Sequence, residues 1–202
     1  MAIITLSELK AHLKITDSSQ DTYLTALITR VEAQIKGFTG RIFGTPGTAS
    51  ERKYDGNGTP FLFIDDCTEI TELKIDDTVV ATDKYFKRPL NAAARALPFT
   101  WIEMDEDLFE SGFDNIAITA KWGYGVAPAD VQIAALNMCA YYNSSGNRES
   151  GGIRSKSAGD ISISYSEGDS NVDTKTGIPV SCMEILKRFK RSNPYALRYE
   201  LA

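Results

Sequence analysis

The stretch GYGVAPADVQIAALNMCAYYN, residues 123–143, predicts a helix whose surface is almost entirely apolar. Pro128 suits the first helical turn because its missing N–H costs nothing there, and Asp130 favours the positive end of the helix dipole. Two apolar stripes follow at helical spacing: Val131, Ala135, Met138 and Tyr142 on one face, and Ile133, Leu136 and Ala140 on the next. We therefore expect other helices to cover this one on two sides.

Two helices are predicted before it. Thr5 and Glu8 form a capping box, in which each side chain satisfies a free backbone N–H, and this opens a short helix that ends near Lys14. A second helix starts after residues 17–21 and ends at Gly37 and Gly40. Its apolar positions form the clearest amphipathic stripe in the chain: Leu24, Leu27, Ile28, Val31, Ile35 and Phe38.

Between residues 45 and 121 the periodicity changes to short β-branched and aromatic runs separated by turn residues. The turns are Asp55-Gly56-Asn57-Gly58, which tolerates positive φ, and Asp76-Asp77. Strands are predicted at residues 52–55, 61–64, 70–75, 78–80, 85–86, 100–104 and 116–122. We interpret this region as a small antiparallel β-domain inserted between helices.

The region after the central helix is predicted to be mostly loop. Residues 144–159 are too polar to order themselves, and residues 160–165 alternate as a strand with one apolar face. A final helix starts at Pro179 with a second capping box, Ser181 to Glu184, and Asn193-Pro194 breaks it. Its apolar face is Val180, Met183, Leu186 and Phe189.

The predicted fold class is therefore α+β: a small bundle of about four helices with an inserted antiparallel β-rich domain and a long loop and strand before the C-terminal helix. The predicted divisions are residues 1–44 for the N-terminal helices, 45–122 for the β-rich domain, and 123–202 for the remainder.

Composition is that of a globular protein. The 202 residues are 43% hydrophobic and 24% charged, with a net charge of −5, so the basic surface typical of nucleic-acid binding is missing overall. No apolar run reaches membrane-spanning length, and the N-terminus lacks the pattern of a signal peptide. Charge is unevenly placed, since residues 101–114 are acidic and the last stretch is basic, which suits subunits that meet through unlike surfaces.

Sequence motifs that would indicate catalysis, metal binding or disulfide bonds are weak. Three widely spaced cysteines, Cys67, Cys139 and Cys182, favour reduced thiols over a disulfide or zinc site. The only histidine, His12, lies in a helix without a nucleophile motif, and the acidic pairs have the pattern of turns. We expect no cofactor, no metal and no catalysis. Two alternatives stay open: a nucleic-acid-binding module that uses the basic C-terminal helix, and a glycan-active enzyme that uses the β-rich domain.

The order of motifs along the chain resembles the head–tail connector proteins of long-tailed DNA phages, also called adaptors or head-completion proteins. The motifs are LSELKAHLKI (6–15), DTYLTALI (21–28), YDGNG (54–58), WGYGVAPAD (122–130), Arg148 with GDISISY (159–165), and Ile178-Pro179 with a short basic helix. The resemblance covers nearly the whole chain.

The resemblance implies a ring, usually dodecameric, that lies beneath the portal, extends the DNA channel and docks the stopper or tail-completion protein. Packaged DNA would pass without specific binding, and no membrane would be involved. The protein would be assembled in the bacterial host cytoplasm and reside in the virion at the head–tail interface.

Two sets of residues are predicted to make the contacts. The portal-docking set, on the C-terminal segment whose apolar residues have no partner left in the chain, is Arg188, Arg191, Tyr195, Leu197, Arg198, Tyr199 and Leu201. The inter-subunit or channel loop set is Arg148, Arg154, Lys156, Ile161, Ile163 and Tyr165.

Overall fold

A computed structural model describes residues 2–146, 155–158, 161–164 and 172–191. The chain divides into two compact units. The sheet unit consists of Met1–Ile3, Gly40–Ala127 and Arg191–Ala202, and the helical unit consists of Ile4–Thr39 and Pro128–Lys190. The α+β class, with four helices and a β-rich domain, is confirmed.

Six strands build the antiparallel sheet of the sheet unit. They are β1 (Ser50–Gly56), β2 (Phe61–Ile75), β3 (Thr78–Val79), β4 (Tyr85–Arg88), β5 (Phe99–Met104) and β6 (Gly112–Trp122). Their order is β1-β6-β2-β5-β4, and β3 pairs with β2. A short 3-10 helix at Ala93–Arg95 lies between β4 and β5 in sequence. The predicted Asp76-Asp77 turn is confirmed, with both residues at positive φ.

Strand β2 corrects the prediction of two separate strands. It runs without a break through Asp65 and Asp66, which the sequence indicated as an acidic turn. The first part of β2 pairs with β5 and the second part with β6, and the register shifts between Phe63 and Cys67. Such irregularities let one long strand serve two neighbours. The two carboxylates therefore lie inside the sheet rather than at its end.

One face of this sheet is buried. Its core consists of residues from strands β2, β4, β5 and β6 together with Phe109, which precedes β6: Leu62, Ile64, Cys67, Ile70, Leu73, Tyr85, Ile102, Met104, Phe109, Ile116, Ile118, Ala120 and Trp122. On β2 the alternation persists to Asp66, with Leu62, Ile64 and Asp66 buried and the residues between them more exposed. This is the period-two pattern of a sheet with one covered face.

The helical unit contains α1 (Leu6–Leu13), α2 (Asp21–Thr39), α3 (Ala129–Gly146) and α4 (Val180–Lys187), with a two-stranded antiparallel sheet of β7 (Ser155–Ala158) and β8 (Ile161–Ser164). The capping box at Thr5 and Glu8 is confirmed, and Lys14 ends α1 in the left-handed conformation. Helix α3 packs against α1, α2 and α4. Within the described residues, no helix combines the length and apolar character needed to cross a bilayer.

Helix α3 has the predicted position, with one face fully covered and the second covered in part. Val131, Ala135 and Met138 are fully buried, and the Tyr142 hydroxyl donates to the Gly177 carbonyl oxygen at 2.6 Å. The second stripe is different, because Ile133 is 50% exposed. Leu136 and Ala140 of the same stripe are half-buried, so the predicted cover on two sides is complete for the first stripe and partial for the second.

Two further predictions need correction. Helix α4 begins at Val180 with Pro179 as its N-cap residue and has no side-chain cap, so the capping box at Ser181 does not form. Val180 is 37% exposed, and Cys182 takes its place in the buried stripe with Leu186. Part of the predicted polar loop, Ser155–Ala158, is strand β7, because it pairs with β8 despite having no apolar alternation of its own.

Gly56 offers a test of the sheet unit. A Cβ atom at Gly56 would lie 1.7 Å from the Glu110 carbonyl oxygen, so the backbone would have to move, whereas a Cβ at Gly37 in α2 would meet nothing within 4 Å. We expect Gly56→Ala to lower the free energy of unfolding by about 3 kcal/mol. Gly37→Ala should raise it by about 0.5 to 1 kcal/mol, because alanine is the better helix former. Urea unfolding measures both, and equal midpoints would contradict the close approach.

Candidate interaction surfaces

Two neighbouring carboxylates on β2 bind three arginines that come from distant parts of the sequence. Nη1 of Arg41 donates to both carboxylate oxygens of Asp66 at 2.8 Å. Asp65 accepts from Arg52 at 2.5 Å and from Arg191 at 2.7 Å. Arg191 also donates to the Ile64 carbonyl oxygen at 2.8 Å. All of these residues belong to the sheet unit, so the cluster ties the start of its Gly40–Ala127 segment and the start of its last segment to β2.

The two carboxylates differ in their surroundings. Burial raises the pKa of Asp66, and the charge of Arg41 only partly offsets this effect. Burial acts in the same direction on Asp65, but the hydrogen bonds from Arg191 and Arg52 outweigh it, so the pKa of Asp65 is lowered. Asp66 is 5% exposed, whereas about 40% of the Asp65 side chain reaches solvent. Asp66 and Arg41 therefore form the buried pair of the cluster.

Aromatic rings pack against the same arginines. The Arg52 guanidinium lies 4.4 Å from the ring centroid of Trp122, and that of Arg41 lies 5.4 Å from the centroid of Tyr124. The Trp122 indole N–H donates to the Ser50 carbonyl oxygen at 2.8 Å. The cation–π contacts hold the guanidinium groups in place and shield them from water. The cluster has only a small cavity, of about 50 Å³, so it is best interpreted as a structural anchor.

The helical unit presents an apolar surface. Ile133 on α3 is 50% exposed and Val180 on α4 is 37% exposed. A groove of about 410 Å³ lies along these two helices, and its lining residues are Asn137, Tyr141, Pro179, Ser181 and Cys182. Exposed apolar surface of this kind is typical of protein contacts.

Only part of the predicted portal-docking set lies within the described residues. Arg188 pairs with Asp130 at 2.9 Å, and both side chains are more than half exposed, so the pair is weak. Arg191 is held by Asp65 and the Ile64 carbonyl and belongs to the arginine–aspartate cluster. Tyr195, Leu197, Arg198, Tyr199 and Leu201 lie outside the described residues.

The predicted loop set is also divided. Lys156 lies on β7, and Ile161 and Ile163 lie on β8, where Lys156 and Ile163 are directly paired. Arg148, Arg154 and Tyr165 lie outside the described residues. The backbone thus brings three members of this set together on one hairpin.

Sequence analysis missed the arginine–aspartate cluster. Asp65-Asp66 has the composition of a turn, and its arginine partners lie 13 residues away at the nearest and 126 at the farthest. One signal was present, because β-branched and aromatic residues flank the acidic pair on both sides at strand spacing. A continuous strand would require a nearby positive charge for each carboxylate.

The three cysteines are free and buried, in agreement with the expected thiols. Burial raises the pKa of Cys67 and of Cys139 to about 12, and it raises that of Cys182. Among the described residues, no group of three or more His, Cys, Asp or Glu side chains is arranged to hold a metal ion. The prominent features of the described surface are ion pairs and apolar faces, and exposed apolar faces are common at contacts between proteins.

Comparison with known proteins gives the family. Residues 2–192 match the family model described as head completion protein, and the chain belongs to this family. It is a structural protein of the virion at the head–tail interface, as the sequence predicted. A comparison with curated protein sequences gives no match.

Two solved structures have a similar fold. One is from the neck of an empty gene transfer agent particle, computed with C6 symmetry, at 15% identity and a TM-score of 0.58. The other is from the virion of a native gene transfer agent particle, at 18% identity and a TM-score of 0.53. Each alignment covers 95% of this chain and 91% of the other. At these identities the likeness concerns the fold.

The buried Arg41–Asp66 pair predicts a variant whose loss of stability depends on pH. In Arg41→Met, Asp66 loses its cation, and we expect the free energy of unfolding at pH 7 to fall by about 3 kcal/mol. Because the folded pKa of Asp66 is raised above its ordinary value of 3.8, the carboxyl destabilises the fold as pH rises through that range. The loss should therefore shrink as pH falls from 7 towards 4, as measured by urea unfolding.

Arg52→Met is the matched control. Its partner Asp65 is 40% exposed and has a lowered pKa, so the loss should be about 1 kcal/mol or less. The stabilisation that ionised Asp65 contributes is complete above pH 3.8 and disappears only below it. The fall in unfolding free energy caused by Arg52→Met should therefore hardly change between pH 5 and 7. Equal losses with equal pH dependence in the two variants would contradict the assignment of Asp66 as the buried partner.

Proposed function

We propose that this head-completion protein forms a ring beneath the portal, extends the DNA channel and docks the stopper or tail. The observation that carries the proposal is the family match over residues 2–192, together with the exposed apolar surface of the helical unit. The adaptor acts through binding, without catalysis. A net charge of −5 suits a channel through which DNA slides without adhering.

A closed ring requires two different contact surfaces on each subunit, because the contact is heterologous. The partly exposed stripe of α3 that begins at Ile133 is a suitable first surface, since burying one such side chain contributes about 1.5 to 3 kcal/mol. The similar neck structure was computed with C6 symmetry, and cyclic symmetry is what a ring of this chain would have. A dodecamer is the number that we propose here.

The β7–β8 hairpin is the proposed second surface. A two-stranded sheet has an outer edge on each strand, and such edges can pair with a strand from another chain. Arg148, Arg154, Lys156, Ile161, Ile163 and Tyr165 would then lie at the contact between subunits or beside the channel.

The C-terminal segment is the proposed portal-docking element. Tyr195, Leu197, Tyr199 and Leu201 follow the helix-breaking Asn193-Pro194 and are the apolar part of this element. A ring carries many copies of this segment. Even if each copy binds the portal weakly, together they bind it firmly, because they act at a high effective concentration. Arg188 and Arg198 would orient the segment by pairing with an acidic portal surface. Arg191 would fix the start of the segment on β2.

Ring formation is tested at Ile133. We expect Ile133→Asp to remain folded, because the side chain is half exposed, and to reduce ring formation by at least tenfold, because a carboxylate cannot enter an apolar contact. Light scattering over rising concentration and electron microscopy of portal complexes measure the effect. Ile133→Val, which keeps an apolar side chain, serves as the control. Normal rings from Ile133→Asp would show that α3 does not form the contact.

Portal docking is tested by removing residues 195–202. The truncated protein should keep its helix content and should no longer bind purified portal or restore infectivity, because the apolar anchors are gone. Circular dichroism and co-sedimentation measure the two properties. Full portal binding by the truncated protein would refute the assignment and move the docking surface to the hairpin or the sheet unit.

A further inference from the structure

The face of the sheet that is not buried carries an aromatic patch. Residues directly opposite one another on antiparallel strands share a face, and two such rows cross β2, β5 and β4. The first row is Phe61, Glu103 and Phe86, and the second is Phe63, Trp101 and Arg88. We name these six residues the outer aromatic face. Four of the six are aromatic, which is unusual for a surface that water would cover.

Contacts within this face pack it but do not cover it. The rings of Phe61 and Trp101 meet edge to face at a centroid distance of 5.6 Å, and Phe63 lies 6.3 Å from Trp101. Phe61 remains 41% exposed and Phe86 45% exposed. A cluster of partly exposed aromatic side chains on a protein surface marks a contact site.

Charge and geometry disfavour nucleic acid as the occupant. The one cation of the face, Arg88, is paired with Glu103 at 2.7 Å, so no net positive charge is left for phosphate. The 70° angle between Phe61 and Trp101 also prevents a flat platform on which bases could stack. An apolar centre whose charged residues neutralise each other in one ion pair is typical of a protein–protein interface.

The position of Arg191 identifies a protein segment that reaches this face. Arg191 is bound to Asp65 and to the Ile64 carbonyl on β2. Asp65 lies two residues beyond Phe63 on the same strand, a distance of about 7 Å. The eleven residues that follow Arg191 therefore start beside the outer aromatic face, and an extended chain of that length spans about 36 Å, more than enough to cross it.

The sequence of that segment fits an apolar surface. From residue 195 onward, YALRYELA alternates with period two, so that one side of an extended chain carries Tyr195, Leu197, Tyr199 and Leu201. The other side carries Ala196, Arg198, Glu200 and Ala202, which suits contact with water. One side of the segment is thus matched to the aromatic face.

We propose that the outer aromatic face is the docking surface for this chain's own C-terminal segment, residues 193–202, with the Arg191–Asp65 pair as the fixed point from which the segment extends. The bound segment shields Phe61, Phe86 and Trp101 in the free subunit and keeps its own tyrosines and leucines from water. The inference concerns the subunit before assembly, so it stands or falls independently of any portal contact. A portal that binds the same segment must compete with this face.

Tryptophan fluorescence tests the proposal on the purified protein alone. The chain has two tryptophans, and Trp122 is 6% exposed beneath Arg52, so acrylamide quenching reports mainly on Trp101. We compare the full chain with a chain that ends at Ser192. Removing the segment should raise the quenching constant about twofold, because water and quencher reach a face that was covered. A synthetic peptide of residues 193–202 should restore the lower value.

Variants locate the contact. Phe86→Ser should weaken binding of the peptide to the shortened chain at least tenfold, because it removes an exposed ring from the face. Phe113→Ser is the matched control, since Phe113 is 92% exposed elsewhere on the sheet unit and should leave binding unchanged. Arg191→Ala in the full chain should raise quenching towards the value of the shortened chain. Circular dichroism confirms that each variant is folded.

Three results would overturn the proposal. One is equal quenching of the full and shortened chains. Another is a quenching constant of the shortened chain that falls with protein concentration to the full-chain value, because a second copy would then cover the face. The third is equal loss of peptide binding in Phe86→Ser and Phe113→Ser. None of these results depends on rings or portal, so they are separate from the tests of the adaptor function.

Discussion

Strand β2 can run unbroken through two adjacent carboxylates only because arginines neutralise both of them. A buried carboxylate without a cation is costly, and Asp66 is almost completely buried. Arg41 meets that requirement from one side of the sheet unit, while Arg52 and Arg191 bind Asp65. The register shifts at this point and β2 changes its neighbour from β5 to β6, so the cluster lies where the two parts of the sheet meet.

The helices were largely predictable because their signals are local. Thr5 and Glu8 are three residues apart, and the apolar stripe of α2 repeats over a few turns, so both are visible in a short window of sequence. Most strand positions were visible for the same reason. The unbroken course of β2 was not, because its acidic pair binds arginines 13 to 126 residues away, and β7 was not, because only its pairing with β8 makes it a strand. The division of the chain into three ranges stays a prediction.

The candidate surfaces were likewise predictable only where their signals are local. Sequence alone placed an apolar stripe at Ile133, Leu136 and Ala140, but it could not show that Ile133 stays half exposed, since coverage depends on packing. Arg191 was expected at an intermolecular contact, and the structure gives it an intramolecular partner on β2. Residues 195–201 and Arg148, Arg154 and Tyr165 keep their predicted roles as proposals. Family membership, in contrast, followed from the order of soft motifs along the chain and is confirmed.

The burial of all three thiols has a consequence for the durability of the particle. A virion leaves a reducing cell and then persists in aerated medium, where oxidants attack thiolates far faster than thiols. With the pKa of Cys67 and Cys139 near 12 and that of Cys182 raised, almost no thiolate exists at neutral pH. Buried and protonated thiols react slowly with oxidants, so we expect these three cysteines to resist oxidation and crosslinking between copies.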